Sequence, residues 1–242
     1  MGRAIARQAA SSGDVVVVAG IDPAGGAGEG FPVFSSAAEC TAQADVIVDF
    51  SHPSALTGLL ELAARLRLPL VLATTGLDEK QIAAVRGASV KIPIFFSFNM
   101  SLGINLMMAL ARMATRVLGG QFDVEIIEKH HNRKIDAPSG TAIMLAGAVS
   151  EEMPARPRYV YERHSKREAR GKCEIGMHAV RGGSIVGEHE MLFAGQDETL
   201  SITHTAYSKE VFATGALSAA LFMPGKEPGL YDMNDLIASA HL

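Results

Sequence analysis

Apolar and polar positions along the first hundred residues fall into blocks that favour helices and buried strands in turn. Helices are predicted at residues 2–11, 54–65 and 79–85, and strands at residues 15–21, 46–50, 70–73 and 94–96. Short apolar runs that alternate with helical patterns are typical of a parallel sheet covered by helices. The pattern therefore predicts an α/β fold for residues 1–101, with the rhythm of a dinucleotide-binding domain.

Beyond residue 101 the pattern changes to that of an α+β domain. Apolar helices are predicted at residues 102–118 and 209–222, an exposed charged loop at 151–171 around a short strand at 159–161, and further strands at 124–127, 174–180, 184–193 and 198–206. Alternation in the later strands predicts that they are antiparallel, with residues 181–183 as a turn between two of them. Together these strands are expected to form an open, mixed sheet.

Composition narrows the classes of partner. Of 242 residues, 48% are hydrophobic and 20% charged, as in ordinary globular proteins. The formal net charge of −4 argues against a nucleic-acid binder, which needs a clustered basic surface. The sequence shows neither an apolar run of about eighteen residues nor a secretory signal. We therefore expect a cytoplasmic protein, with no membrane partner, that binds small molecules.

The stretch EIIEKHHNRKIDAPSGT at residues 125–141 concentrates the candidate chemistry. The imidazoles of His130 and His131 titrate near neutral pH, and Lys134 supplies a positive charge or a proton. Pro138 suits the first position of a helix, so the N–H groups of residues 139–141 are expected to point back at the loop as an anion cradle. The pattern suits a small substrate that carries carboxylates and needs a proton.

This stretch has two other interpretations. Adjacent histidines can bind a metal, but a metal site needs further ligands, and neither Cys40 nor Cys173 is near in sequence. We therefore predict no metal site. A solvated surface loop also explains a cluster of charges.

The run EKHHNRKIDAPSGTA resembles the signature of the 4-hydroxy-tetrahydrodipicolinate reductases, the dihydrodipicolinate reductases of bacterial lysine and diaminopimelate synthesis. Agreement continues in DFS at 49–51, TTG at 74–76, SFNMS at 97–101, IVGEH at 185–189 and GKEPGLYDM at 225–233. The resemblance covers nearly the whole chain. It implies an oxidoreductase that uses NADH or NADPH to reduce a cyclic imine dicarboxylate, 4-hydroxy-tetrahydrodipicolinate, to tetrahydrodipicolinate.

The resemblance also implies roles for individual residues. His130 is expected to donate the proton and Lys134 to assist it. The substrate carboxylates are expected at His131, Lys134, Ser139, Gly140 and Thr141. Contacts with the cofactor are expected from Ala73, Thr74, Thr75, Ser97, Phe98, Asn99 and Met100, although the family often has Gly at the place of Ala73.

Asp22 stands at the end of the strand predicted over residues 15–21, where the dinucleotide fold places an acid on the adenosine ribose. The other interpretation is that Asp22 opens a turn before Pro23. No Lys or Arg occurs between Arg7 and Arg65, so no cation is available there for the extra phosphate of NADPH. The sequence therefore predicts a preference for NADH over NADPH.

The first strand and the Gly-rich phosphate loop of the fold have no counterpart in the sequence. The family's loop ends in Gly-x-Met-Gly-Arg, and this chain begins Met1-Gly2-Arg3, so the resemblance places Met1 among the cofactor contacts. We therefore expect that the sequence begins after this strand and loop, through a start site assigned too late or through truncation. A flexible loop is predicted at residues 23–30.

By resemblance, residues 1–101 form the dinucleotide-binding domain, residues 102–208 the substrate-binding and oligomerisation domain, and residues 209–242 return to the first domain. The family builds a homotetramer on the second sheet, and hinges are expected near residues 99–102 and Ser208. Two alternatives stay open. One is another dehydrogenase of this fold that acts on amino acids or sugars, and the other is a truncated, non-catalytic homologue that binds dicarboxylates.

Overall fold

The structure of the protein, a computed structural model, describes residues 1–26 and 30–239. The flexible loop predicted at residues 23–30 lies partly outside the described residues, because residues 27–29 are not among them. The chain divides into two compact units. The first contains Met1–Leu102 and Glu210–Leu242, and the second contains Gly103–Lys209.

The helices and strands follow one another in a mixed α/β order. They are α1 (Gly2–Ser12), β1 (Gly20–Ile21), β2 (Val33–Phe34), β3 (Ile47–Asp49), α2 (Leu56–Leu66), β4 (Leu70–Leu72), α3 (Glu79–Ser89), β5 (Pro93–Phe96), α4 (Leu102–Leu118), β6 (Asp123–His130), α5 (Gly140–Ser150), β7 (Arg158–Val160), β8 (Glu174–Arg181), β9 (Gly187–Ala194), β10 (Thr199–Ala206), α6 (Glu210–Phe222), β11 (Gly229–Tyr231) and α7 (Met233–Ser239). Short 3₁₀ turns occur at Pro53–Ala55 and Gly119–Gln121.

The first unit is built on a parallel sheet with the strand order β11-β5-β4-β3. All three residues of β4 are fully buried, because the sheet is covered on both faces and its strands are therefore apolar on both sides. One apolar cluster joins the sheet to α2 and α3, and another joins it to α6 and α7. Helix α3 begins with a capping box between Asp78 and Gln81. The predicted parallel sheet with covering helices is confirmed.

The strand predicted over residues 15–21 is wrong in length and burial. Only β1 is formed, and it pairs in parallel with β2 alone among the described residues. Residues 15–19 belong to no strand and pair with none of the strands in the described residues. Val16 and Val18 remain 80% and 42% exposed. An apolar run is buried as a strand only where it joins a sheet whose faces are covered.

The second unit has one five-stranded sheet in the order β10-β9-β6-β8-β7. Helices α4 and α5 pack on one face of it, in a core that includes Met107, Ile126, Leu145, Ile175 and Phe193. The predicted mixed sheet is confirmed, but its pairing differs from the expectation for β8. This strand is parallel to β6, which separates it from β9.

The residues between β8 and β9 therefore connect strands that are not neighbours, and the hairpin turn predicted at residues 181–183 is wrong. Alternation of apolar and polar residues shows that one face of a strand is buried, and it says nothing about which strand is the neighbour. Strand β6 takes the central place, with Val124 and Ile126 buried on the helix-covered face. In the described residues, none of the helices is long and apolar enough to cross a membrane.

Candidate active site

Strand β6 extends further than its apolar run predicts, and it ends at His130. The sequence placed Glu128, Lys129 and His130 at the strand end and in the loop beyond it. In the structure the strand alternation continues through them, so Glu128 and His130 point to the same face as Ile126, and Lys129 points to the other face. There Lys129 forms an ion pair with Glu188 on β9. An acid and a histidine are thereby placed side by side in the interior of the unit.

Glu128 is completely buried and accepts hydrogen bonds on both carboxylate oxygens. Arg181, the last residue of β8, binds both oxygens at 2.6 and 2.7 Å, and the backbone N–H of Ser139 donates to one of them at 3.0 Å. Burial raises the pKa of Glu128, but the hydrogen bonds from Arg181, His130 and Ser139 outweigh it and hold the pKa below its ordinary value. The carboxylate is therefore ionised at neutral pH.

His130 lies with its Nδ1 atom 2.6 Å from the second oxygen of Glu128. An ionised carboxylate can only accept, so Nδ1 carries the hydrogen and Nε2 is the atom left for chemistry. The backbone of Gly187 lies beside Nε2, and a Cβ atom there would come within 3.1 Å of it. The lack of a side chain at Gly187 keeps this side of the ring uncovered. His130 can therefore hold or release a proton at Nε2.

The ring of His189 packs edge-on against that of His130, with 5.2 Å between the ring centres. Burial and, to a smaller extent, the nearby His130 together lower the pKa of His189 to about 4. His189 is therefore neutral at physiological pH, and its Nε2 atom lies 2.8 Å from the hydroxyl oxygen of Ser139.

The loop after β6 carries His131 and Lys134, which follow His130 closely in the sequence. Lys134 forms an ion pair with Asp136 at 2.8 Å, and its hydrogen bond holds the pKa of Asp136 below the usual range. Burial lowers the pKa of His131, as do the positive charge of Arg133 and the neighbouring His130. The Nδ1 atom of His131 is buried and finds no hydrogen-bond partner among the described residues. The loop thus presents a neutral imidazole and two cations.

Helix α5 begins at Gly140, and the prediction that Pro138 is its first residue is wrong. Ser139 is the N-cap, and its hydroxyl accepts from the N–H of Ala142 at 3.1 Å. The sequence predicts that the N–H of Ser139 is open to a ligand. In the structure this N–H donates to Glu128 instead, so the prediction is wrong for Ser139. Gly140 and Thr141 occupy the first turn, where the helix dipole favours negative charge. Of the three residues predicted to hold an anion, these two lie within the helix itself.

The candidate cofactor residues lie in the first unit. Ala73, Thr74 and Thr75 follow β4, and Ser97 to Met100 follow β5, so both groups lie at the carboxyl ends of parallel strands. Dinucleotides bind at this edge in open α/β sheets. The hydroxyl of Thr74 is committed to Asp49 at 2.5 Å, while Thr75 is exposed and Gly76 turns the chain with a φ of 77°. This turn leaves room for a ligand beside the backbone.

After β5, Phe98 is 49% exposed, whereas the side chains of Asn99 and Met100 are buried. The hydroxyl of Ser97 donates to the carbonyl of Asn99 at 2.9 Å, which holds the turn. Phe98 is therefore the most exposed side chain of this segment. Ala73 is 6% exposed, so its side chain is not presented to a ligand.

Asp22 directly follows β1 and is exposed, with one carboxylate oxygen 3.0 Å from the N–H of Ala24. This contact fits the interpretation that Asp22 opens a turn before Pro23, and it leaves the second oxygen for another donor. Met1 is 41% exposed, and its carbonyl accepts from the N–H groups of Ala4 and Ile5 at the start of α1. Both residues are accessible to a ligand.

Sequence reasoning missed the roles of Glu128 and Arg181. Glu128 could have been found, because it precedes His130 by two residues and so shares its strand face. Arg181 gives no local signal, since it meets His130 only through the parallel register of β6 and β8. The described residues contain no group of three or more His, Cys, Asp or Glu side chains that could hold a metal ion.

Two family profiles cover the chain. The profile described as "Dihydrodipicolinate reductase, N-terminus" matches residues 1–100, and "Dihydrodipicolinate reductase, C-terminus" matches residues 103–237. Among curated relatives, the 4-hydroxy-tetrahydrodipicolinate reductase of Caldanaerobacter subterraneus subsp. tengcongensis is 50% identical over 98% of this chain and 94% of its own length. The enzyme of the same name from Clostridium tetani is 46% identical, over 99% of this chain and 93% of its own length.

Solved structures show the same fold. A dihydrodipicolinate reductase from Paenisporosarcina sp. TG-14, described as dipicolinate bound, superposes with a TM-score of 0.78 at 24% identity, over 95% of this chain and 93% of that one. An engineered D-amino acid dehydrogenase has a TM-score of 0.53 at 12% identity, over 99% of this chain and 96% of that one. At these identities the likeness concerns the fold alone.

Proposed function

The chain belongs to the dihydrodipicolinate reductase family, and from this premise we propose that it reduces 4-hydroxy-tetrahydrodipicolinate to tetrahydrodipicolinate with a pyridine nucleotide, in lysine and diaminopimelate synthesis. The observation that carries the proposal is the buried Glu128–His130 pair, which leaves Nε2 of His130 as a proton carrier beside a cationic loop and a helix N-terminus. Substrate-dependent oxidation of the nucleotide by the purified protein tests it.

When bound, the pyridine nucleotide supplies the hydride that reduces the substrate ring. In the first unit, the turn at Thr75 and Gly76, the exposed ring of Phe98 and the carboxylate of Asp22 fit such a group, because they are accessible at the sheet edge and strand end that the fold uses for it. Ala73, Thr74, Ser97, Asn99 and Met100 would shape these turns, and Met1, just before α1, is a further contact that the family resemblance implies.

His130 is the proton donor in this proposal. Reduction of the ring leaves an electron-rich centre that must gain a proton, and Nε2 of His130 is the uncovered nitrogen of a ring whose other nitrogen is held by Glu128. Lys134 assists as a second donor and as a positive charge that stabilises the electron-rich centre. Water leaves the ring, and tetrahydrodipicolinate is the product.

The substrate carboxylates are held in this proposal by His131, Lys134 and the first turn of α5. Gly140 and Thr141 offer backbone N–H groups at a helix N-terminus, and Lys134 adds a charge-assisted hydrogen bond. Ser139 contributes by fixing the turn, because its N–H and its hydroxyl are engaged within the protein.

Dipicolinate, the pyridine-2,6-dicarboxylate bound by the relative from Paenisporosarcina, is expected to bind this chain. Lys134 and the first turn of α5 each favour an anion by about 1 kcal/mol, so the double variant Lys134→Ala/Thr141→Pro should bind about thirtyfold more weakly. Isothermal titration calorimetry measures the affinity. The control is Lys172→Ala/Thr199→Val, at two exposed positions of the second unit. Equal affinity of the double variant and the unchanged protein would refute this binding site.

We also propose that NADH is preferred and that NADPH is accepted. The free oxygen of Asp22 can accept from a ribose hydroxyl but repels a phosphate, and screening at an exposed site limits the preference to about tenfold. Steady-state kinetics should give a kcat/KM about tenfold higher with NADH, and Asp22→Ala should abolish the difference. Asp14→Ala, a change of another exposed Asp in the same unit, should leave it intact. A preference for NADPH that survives Asp22→Ala would contradict the assignment.

A homotetramer built on the sheet of the second unit is our proposal for the assembly. The face of this sheet opposite α4 and α5 includes the half-exposed Val180, and Leu200 and Tyr207 are exposed in and beside β10. Exposed apolar side chains on a sheet favour association with another protein surface.

A further inference from the structure

Glu128 forms hydrogen bonds with both His130 and Arg181 in the second unit. One of its oxygens meets His130 Nδ1 at 2.6 Å, and both meet Arg181. The guanidinium also donates to the carbonyl of Asp136 at 2.7 Å, which ties the loop that carries Lys134 to the end of β8. The three side chains therefore form one buried chain of charge-assisted hydrogen bonds that ends at the imidazole.

We propose that Glu128 and Arg181 are positioning residues that act through His130. Glu128 fixes the hydrogen of the ring on Nδ1 and stabilises the protonated imidazole. Arg181 holds Glu128 in place and offsets part of its negative charge, so the two residues together set how readily Nε2 releases its proton. This inference rests on the proposed role of His130 as proton donor.

The charges around His130 support this division of roles. His189 on β9 is neutral, and burial lowers the pKa of His204 beside it on β10, so neither supplies a charge at neutral pH. In the loop after β6, Lys134 is paired with Asp136, and His131 and Arg133 precede them. Glu128 is the one carboxylate bonded to the ring in the described residues, and Arg181 is its bidentate partner. Removal of either charge should therefore change the titration of His130, with opposite signs.

The test is the titration of the His130 ring by ¹⁵N NMR in Glu128→Gln and Arg181→Met, with the signal assigned by its loss in His130→Gln. Loss of the carboxylate disfavours the protonated ring, so Glu128→Gln should move the titration midpoint down by about one pH unit or more. Loss of the guanidinium leaves Glu128 unopposed, so Arg181→Met should move the midpoint up by about the same amount.

The pH dependence of kcat/KM is a second measurement of the same effect. A proton donor must be protonated, so kcat/KM falls as the pH rises through the His130 midpoint. This alkaline limb should move to lower pH in Glu128→Gln and to higher pH in Arg181→Met. Loss of packing alone would reduce the rate in both variants without opposite shifts. Shifts of the same sign, or a fixed midpoint in both, would overturn the inference.

Glu125→Gln is the matched control. Glu125 lies on the same strand, on the opposite face, and is likewise held by arginines, Arg163 and Arg170. This variant should leave the His130 midpoint in place. If Glu128→Gln does not fold because Arg181 is left without its partner, Glu128→Gln/Arg181→Met compared with Arg181→Met measures the same loss of the carboxylate, and the midpoint should again fall.

The two proposals fail separately. Turnover that persists in His130→Gln would refute the donor role, whatever the NMR titration shows. An inactive His130→Gln together with an unmoved midpoint in the Glu128 and Arg181 variants would refute only the positioning roles.

Discussion

Replacement of His130 by Gln is expected to lower kcat by about a hundredfold to ten-thousandfold and to leave KM close to its original value. The proton from Nε2 is needed in the transition state and not in the bound substrate, so its loss affects the rate more than the binding. Glutamine keeps a side-chain N–H that can donate to Glu128, so the buried carboxylate retains a partner. Steady-state kinetics with both substrates varied measures the two constants.

The control for this variant is His164→Gln, at an exposed histidine in the second unit. It should keep the kcat of the unchanged protein. A kcat that is unaltered in His130→Gln would remove His130 from the proton-transfer step. A raised KM with the same kcat would show that the ring binds the substrate without taking part in the chemistry.

Replacement of Lys134 by Ala is expected to lower kcat/KM by about a hundredfold or more, through a higher KM and a lower kcat together. The ammonium group serves as clamp for a carboxylate and as positive charge beside the reacting centre, so both terms lose its contribution. The same steady-state measurement separates them. Asp136, the partner of Lys134, is largely exposed, so the variant leaves no buried charge unpaired.

Lys129→Ala is the matched control, because Lys129 lies five residues earlier and forms its ion pair with Glu188 on the other face of the sheet. Lys129→Ala should change neither kcat nor KM by more than about twofold, because a surface ion pair contributes little free energy. An unaltered KM in Lys134→Ala would contradict the role of Lys134 as a clamp.

Much of the fold follows from short-range patterns. The fully apolar run at residues 70–72 identified a strand buried on both faces, and the helix at Leu102–Leu118 was bounded correctly by its apolar periodicity. The exposed Val16 shows the limit of that reasoning, since an apolar run specifies a preference for burial and not the presence of a neighbouring strand. The parallel pairing of β8 with β6 depends on contacts about fifty residues apart, which no local pattern encodes.

The same division applies to the candidate site. The motif brought His130, His131 and Lys134 together because they are adjacent in sequence. What holds them could not be predicted: Arg181 reaches Glu128 through the strand register, and Ser139 turns its N–H to the same carboxylate. A helix N-terminus recognised in the sequence predicts free N–H groups. Which of them are available depends on the fold, because a buried acid such as Glu128 can accept a hydrogen bond from one of them.

The central claim is tested most directly by mixing the purified protein with freshly prepared 4-hydroxy-tetrahydrodipicolinate and NADH, and following oxidation of the nucleotide together with formation of tetrahydrodipicolinate. We expect one NADH to be oxidised for each substrate consumed, with no oxidation when the substrate is omitted and almost none in His130→Gln. Binding of dipicolinate without oxidation of NADH or NADPH would contradict the account.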